Sequence, residues 1–268
     1  MNGAECKPDI LLLGGTSETA DIATRLAAAG FSVLVSTATD EPLDIGTAPG
    51  IARRIGRLDE TAMAALVAEQ SIRAIVDASH PYASAAHATA ARTGEQTGIP
   101  VFVYLRKTTI AAGDLSFRDF AANHEQAAKV AFAAGRPVLL TTGSTNLAPY
   151  VGESQRTRLP LIVRVLPRDD AIAACLRAGL PRERIIAAKG PFSVEVNRRH
   201  IRQFAAGVLV TKDSGQPGGV EEKLQAARLE RCRVVVVLRP ARPDADAAAT
   251  FEDVEALVEA VRRVCLHG

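Results

Sequence analysis

Short apolar runs recur along the chain at intervals that alanine-rich, helix-forming stretches fill, and this alternation constrains the fold more than any other feature. ILLL at 10–13, FSVLVS at 31–36, RRIG at 53–56, RAIVDA at 73–78 and VFVYL at 101–105 form one set. PVLLT at 137–141, LIVRV at 161–165, RIIAA at 184–188, GVLVT at 207–211 and RVVVVL at 233–238 form a second. Strands separated by helical segments of this length build parallel βαβ units. The expectation is an α/β protein with two Rossmann-like, doubly wound parallel-sheet domains facing a central cleft, residues 1–134 and 135–268. Between the first two strands, Ser17 is placed to cap a helix whose apolar face is Ile22, Ala23, Leu26 and Ala27, with Gly30 at its end.

The two sets also resemble each other. LLLGGTSE at 11–18 lines up with VLLTTGSTN at 138–146, IVDASHPYAS at 75–84 with LVTKDSGQPGG at 209–219, and PVFVYLRK at 100–107 with RVVVVLRP at 233–240. The tails agree too: SFRDF at 116–120 and TFEDV at 250–254 each precede a final amphipathic helix. Such tails allow an exchange in which a terminal strand pairs with the other half's sheet.

Composition excludes several classes of function. With 32 basic and 30 acidic residues in 268, the net charge of +2 offers no bulk attraction to nucleic acid or membrane. The four cysteines, Cys6, Cys175, Cys232 and Cys265, fall in no metal-ligating spacing, so no metal site is expected and reduced thiols in the cytoplasm are. No run approaches the 18 apolar residues or so that a membrane span needs.

Ligands of open α/β sheets bind at the carboxyl ends of the strands, so the motifs there carry the function. In the first half, Gly14, Gly15, Thr16 and Ser17 lie between a strand and a helix, where small residues let backbone N–H groups approach a phosphate. A site for NAD places an acid at the end of the second strand; here Ser36 and Thr37 follow Val35. Hydroxyls with Arg53, Arg54 or Arg57 nearby suit a 2′-phosphate, Arg57 being the preferred one, and so NADPH. Ser79 and His80 end the fourth strand. In the second half Thr142, Gly143 and Ser144, then Lys189, then Lys212, Ser214, Gly218, Gly219 and Lys223 follow strands, with Arg106 and Arg239 closing strands of their own. No nucleophile–base pair or carboxylate pair is evident, and this half reads as a binder of anions.

In this order GGTSE, GRLD, VDASHPYA, LLTTGSTNL, KGPFS, VTKDSGQPGG-EEK and the closing LRP resemble the motifs of the precorrin-6A reductases of cobalamin biosynthesis, over roughly residues 10 to 262. The resemblance implies an oxidoreductase that uses NADPH to reduce one double bond of the precorrin-6A macrocycle to give precorrin-6B. It assigns Gly14, Gly15, Thr16, Ser17, Ser36 and Thr37 to the cofactor, and Lys189, Lys212, Ser214 and Lys223 to a tetrapyrrole with multiple carboxylates. Neighbouring pathway enzymes are the protein partners it implies. His80, Lys212 with Asp213, or water remain open as proton donor, and the glycines of the 215–219 loop suit a lid. The alternatives are a cobalt-precorrin-6A reductase, a methyl-transferring nucleotide binder that Ser36-Thr37 disfavours, and a non-enzymatic two-domain small-molecule binding protein.

Overall fold

A computed structural model describes residues 7–108, 117–215, 219–240 and 249–267. The described residues form two six-stranded sheets, and every strand pairing among them is parallel. The first sheet has β1 (Ile10–Leu13), β2 (Val33–Thr37), β3 (Ile51–Ile55), β4 (Ala74–Asp77) and β5 (Val101–Tyr104). β6 (Arg118–Ala121) follows in sequence but joins the second sheet, with β7 (Val138–Leu140), β8 (Leu161–Val165), β9 (Ile185–Ala187), β10 (Val208–Lys212) and β11 (Arg233–Val237). β12 (Ala249–Phe251) crosses back to the first.

The strand orders are β12-β5-β4-β1-β2-β3 and β6-β11-β10-β7-β8-β9. Each half's last strand completes the other half's sheet, so the two topologies are the same and the exchange suggested by the tails is present. The compact units are accordingly residues 1–106 with 241–268, and residues 107–240. A single division near residue 135 does not describe them, because β6 and the chain from 107 onward belong with the second sheet.

In the first unit α1 (Thr19–Ala28) lays Ile22, Ala23 and Leu26 on Ile10, Leu12, Val33 and Val35, joined by Leu257 and Val261 of α9 (Val254–His267). Ala27, expected on that face, is only partly buried. The opposite face of the sheet packs Leu11, Leu13 and Ile75 against Met63 and Val67 of α2 (Glu60–Gln70) and Ala90 of α3 (Ser84–Thr97). Burying each such Leu or Ile contributes about 1.5–3 kcal/mol. In the second unit α7 (Val194–Gln203) and α8 (Val220–Leu229) cover Leu139, Ile162, Leu209, Val234 and Val236 through Ile201 and Leu224. α4 (His124–Ala133) and α5 (Ala148–Thr157) follow β6 and β7.

Strand order reverses between β1 and β4 in one sheet and between β7 and β10 in the other, and at such a point the flanking loops part and leave a crevice. Both glycine-containing loops therefore open at a switch point. No helix among the described residues is long and apolar enough to cross a membrane, and no cluster of three metal-ligating side chains occurs among them. Cys175, Cys232 and Cys265 are buried free thiols; Cys6 lies outside the described residues.

Candidate functional site

The β1–α1 loop is built around Thr19. Its hydroxyl accepts the Gly15 and Thr16 N–H groups, each at 3.2 Å, while the Thr16 hydroxyl donates to the Ala78 carbonyl at 3.1 Å and ties the loop to the end of β4. A Cβ on Gly14 would stand 2.8 Å from Thr19 Cγ2 and 3.0 Å from Val35 Cγ1, so only glycine lets this turn lie against β2. Gly15 uses φ +113°, open to glycine and costly elsewhere.

Ser17 does not cap α1. The helix begins at Thr19 with no side-chain cap, and the Ser17 hydroxyl instead donates to Glu18 Oε2 at 3.0 Å and accepts from Arg106 Nη2 at 3.0 Å. Arg106, 8% exposed, also donates from Nε to Glu18 Oε2 at 2.9 Å. The structure thus joins Arg106 to the GGTSE loop through Ser17 and Glu18.

At the end of β2 the two hydroxyls are buried and each meets a guanidinium. Arg54 Nη1 donates to Ser36 Oγ at 2.8 Å and to the Gly56 carbonyl at 2.8 Å. Arg53 Nε donates to Thr37 Oγ1 at 3.1 Å, and its Nη2 reaches the carbonyls of Thr39 and Glu41. Parallel register sets Arg53 beside Val35 and Arg54 beside Ser36, and alternation sends the two pairs to opposite faces of the sheet. Arg57, the arginine preferred on sequence, is exposed, and the pairing falls to Arg53 and Arg54.

The end of β4 holds a network absent from the sequence reading. Asp77 is 1% exposed; its Oδ1 accepts from the Ser79 hydroxyl at 2.5 Å and the Ser79 N–H at 3.1 Å, and its Oδ2 lies 2.6 Å from Nδ1 of buried His87. Ser79 is thereby oriented by a carboxylate. His80 is half-buried beside it, its Nδ1 accepting the Tyr82 N–H at 3.3 Å. Asp77 closes β4 as an apparent strand residue and His87 sits one helical turn into α3, a separation no local motif announces.

In the second unit the β7–α5 loop presents Thr142, Gly143 and Ser144. Gly143 has φ +88° with open space where a Cβ would be, and the buried Thr142 hydroxyl has no hydrogen-bond partner among the described residues. β10 ends in Lys212, whose pKa burial lowers. Asp213 accepts from the Thr108 hydroxyl at 2.6 Å and pairs with Arg239 at 3.2 Å, and Arg239 also donates to the Asp213 carbonyl at 3.0 Å. Arg239 therefore fastens the TKDSG segment. The Ser214 N–H donates to the Lys212 carbonyl at 3.0 Å.

Gly219, at φ +61°, caps α8, while Gly218 lies outside the described residues. Lys223 is 8% exposed, and burial first, then Arg164, push its pKa down to about 8 against the opposing influence of Glu222. Lys189 is exposed in the KGPFS loop, whose Gly190–Pro191 bond is cis. Nδ1 of His124 stands 2.9 Å from the hydroxyl of fully buried Tyr150; burial, and then Lys212, hold His124 neutral with a pKa of about 4.

Residues 9–262 match the family described as Precorrin-6x reductase CbiJ/CobK. The cobalt-precorrin-6A reductase of Priestia megaterium is 34% identical over 255 residues, covering 94% of this chain and 99% of that protein. The precorrin-6A reductase of Rhodobacter capsulatus is 31% identical over 251 residues, covering 91% and 93%. Among solved structures, a CobK precorrin-6A reductase superposes with a TM-score of 0.77 at 26% identity, covering 96% of this chain and 97% of that one.

Proposed function

The chain belongs to the precorrin-6x reductase family, and from that premise we propose that it uses NADPH to reduce one carbon–carbon double bond of precorrin-6A, giving precorrin-6B. The family implies a reduced nicotinamide cofactor, which supplies the hydride when bound. The first unit fits such a group: the Gly14 cradle has no room for a side chain, and the turn opens beside the N-terminus of α1, where a pyrophosphate is favoured. Gly14, Gly15, Thr16 and Ser17 would hold the phosphates, with Ser79 and His80 flanking them at the next strand.

The observation that carries the choice of NADPH is the pair of guanidinium–hydroxyl contacts at the end of β2. Where a dinucleotide site for NAD sets a carboxylate against the ribose, Ser36 and Thr37 here bring Arg54 and Arg53. A 2′-phosphate at the end of β2 gains from the positive charge of the guanidinium on its face of the sheet. The carboxylates of the macrocycle are assigned to Lys189, Lys212, Lys223 and Ser214 of the second unit, with the Thr142–Ser144 turn and Gly219 supplying backbone near them.

Reduction of a double bond needs a proton as well as a hydride. Lys212 is the proposed donor, because burial weakens its hold on a proton and neutral His124 nearby adds no competing positive charge. His80 then orients ligand in the first unit. This reading implies a cytoplasmic enzyme that receives its substrate from, and passes its product to, neighbouring enzymes of the pathway. Loss of nicotinamide absorbance on adding metal-free or cobalt-containing precorrin-6A tests it, with NADPH and NADH in parallel. Oxidation of NADPH ahead of NADH with either tetrapyrrole is expected; none with both would end the proposal.

A further inference from the structure

Arg164 occupies the fourth position of β8, in a run whose other members are buried aliphatics, and only 5% of it is exposed. Ile162, two residues earlier on the same face, packs with Ile201 and Leu224, so Arg164 projects towards α7 and α8 one step nearer the carboxyl end. Its guanidinium lies 4.2 Å from the centre of the Phe192 ring. Nη1 donates to Asn197 Oδ1 at 2.8 Å and stands 3.4 Å from His200 Nδ1. Fully buried Asn197 is itself aimed, since its amide donates to the carbonyls of Phe192 and Ser193 and leaves its oxygen to the arginine.

Asn197 and Phe192 carry no charge, and burial together with the nearby Arg164 and Arg199 disfavours charging His200. No ion pair forms on Arg164 among the described residues, and both hydrogen bonds leave from Nη1, so the Nε–Nη2 edge forms none with them. Lys223, buried on the first turns of α8, adds a second positive charge close enough to interact with it. The carboxylate that acts on Lys223 is Glu222, whose Oε2 is buried with no hydrogen-bond partner among the described residues. A buried guanidinium held flat by a ring, with one edge unused by the described residues, is shaped for a bidentate carboxylate. The start of α8 adjoins the same loop, for a Cβ on Gly219 would come 3.7 Å from Pro191 Cβ.

We propose that Arg164, stacked on Phe192 and held by Asn197, binds a carboxylate side chain of the tetrapyrrole together with Lys223. The class of ligand rests on the reductase reading; the site rests on the geometry of the second unit. The KGPFS motif then serves through its phenylalanine as well as its lysine.

The test titrates uroporphyrin I, a soluble tetrapyrrole bearing acetate and propionate groups, against the full chain by fluorescence anisotropy. Arg164→Met should raise the Kd by about tenfold or more, and Arg164→Lys, which keeps the charge and loses the fork, by a smaller factor. NADPH binding should stay within about twofold in both, a split that general damage to the fold would not produce. If Arg164→Met does not fold, Lys223→Met carries the same expectation. Equal uroporphyrin affinity in wild type and variant, or no saturable binding by wild type, overturns the proposal. Turnover with precorrin-6A separates the two claims: reduction by Arg164→Met with an unchanged KM removes the site and leaves the reductase, whereas carboxylate binding lost with Arg164 in a chain that reduces neither precorrin removes the reductase and leaves the site.

Discussion

The two units share one topology and differ in how they dispose of charge at the carboxyl ends of their strands. In the first, buried charged groups face partners within the unit: Arg106 meets Glu18, and Asp77 meets Ser79 and His87. In the second, Lys212 and Lys223 have their pKa values lowered by burial, and Arg164 is held by neutral groups. A duplicated framework thus yields an internally hydrogen-bonded turn in one copy and, in the other, buried cations whose charged forms burial disfavours. The first arrangement suits a cofactor met mainly by backbone, the second a ligand that brings its own carboxylates.

The largest expected effect breaks the comparison at its two glycines. Gly14→Ala forces a Cβ onto Thr19 and Val35, an overpacking cost of about 3 kcal/mol, so NADPH affinity should fall by close to 100-fold. Thr19→Ser in the same chain removes the offending methyl while keeping the hydroxyl that holds the Gly15 and Thr16 N–H groups, and should restore much of the binding. Gly143→Ala meets open space and should cost only about 1 kcal/mol of backbone strain, leaving NADPH untouched. Fluorescence titration with NADPH measures all three; similar losses for both glycines would erase the distinction between the turns.

A smaller effect is expected at the lysines. Lys212→Met and Lys223→Met should each weaken binding of precorrin-6A by about 2 kcal/mol, the scale of a charge-assisted hydrogen bond, with NADPH binding near normal. Lys212→Met should also lower kcat, because that lysine is assigned the proton. Variants that lose NADPH and substrate affinity together would show that the units do not divide the ligands.

The framework was legible because continuous aliphatic runs leave few alternatives to buried parallel strands, and the paired motifs exposed the repeat. SFRDF and TFEDV raise the exchange of β6 and β12, but strand pairing is decided by packing beyond a local window, so a boundary near 135 does not describe the compact units. Candidate site residues are legible where glycine, serine or lysine breaks an apolar run. Thr19, Asp77 and His87 were not, since their roles depend on hydrogen bonds made only after folding. Arg164 lies in plain view in LIVRV, but a charge inside a strand pattern reads as an edge or a pause until the fold shows what buries it.

The cofactor side is sharpened by Ser36→Asp. A carboxylate there captures Arg54, which now donates to the serine hydroxyl at 2.8 Å, and repels a 2′-phosphate as well. The preference for NADPH over NADH should narrow by about tenfold, corresponding to about 1.4 kcal/mol, with little change in substrate KM. An unchanged ratio of kcat/KM values for the two cofactors would move the phosphate away from the end of β2.

The smallest effect separates a partly buried histidine from a buried one. His124 in the second unit is held to a phenol and kept neutral by burial, with a pKa of about 4 against 6.5 for the ordinary side chain. A lowered histidine pKa means that the unfolded chain binds a proton the folded chain refuses. Its contribution is therefore intact above pH 6.5 and is lost as pH falls from there towards 4, where it levels off. Because the ring is only partly buried, screening cuts the loss to about 1 kcal/mol. His124→Gln can still bond to Tyr150 and does not titrate, so urea midpoints of wild type and variant should agree near pH 7.5 and diverge in acid, with wild type falling faster. His87→Gln in the first unit disturbs a bond to buried Asp77 and should lower the midpoint at neutral pH already. Parallel acid slopes for wild type and His124→Gln would mean that the second unit takes up its proton elsewhere.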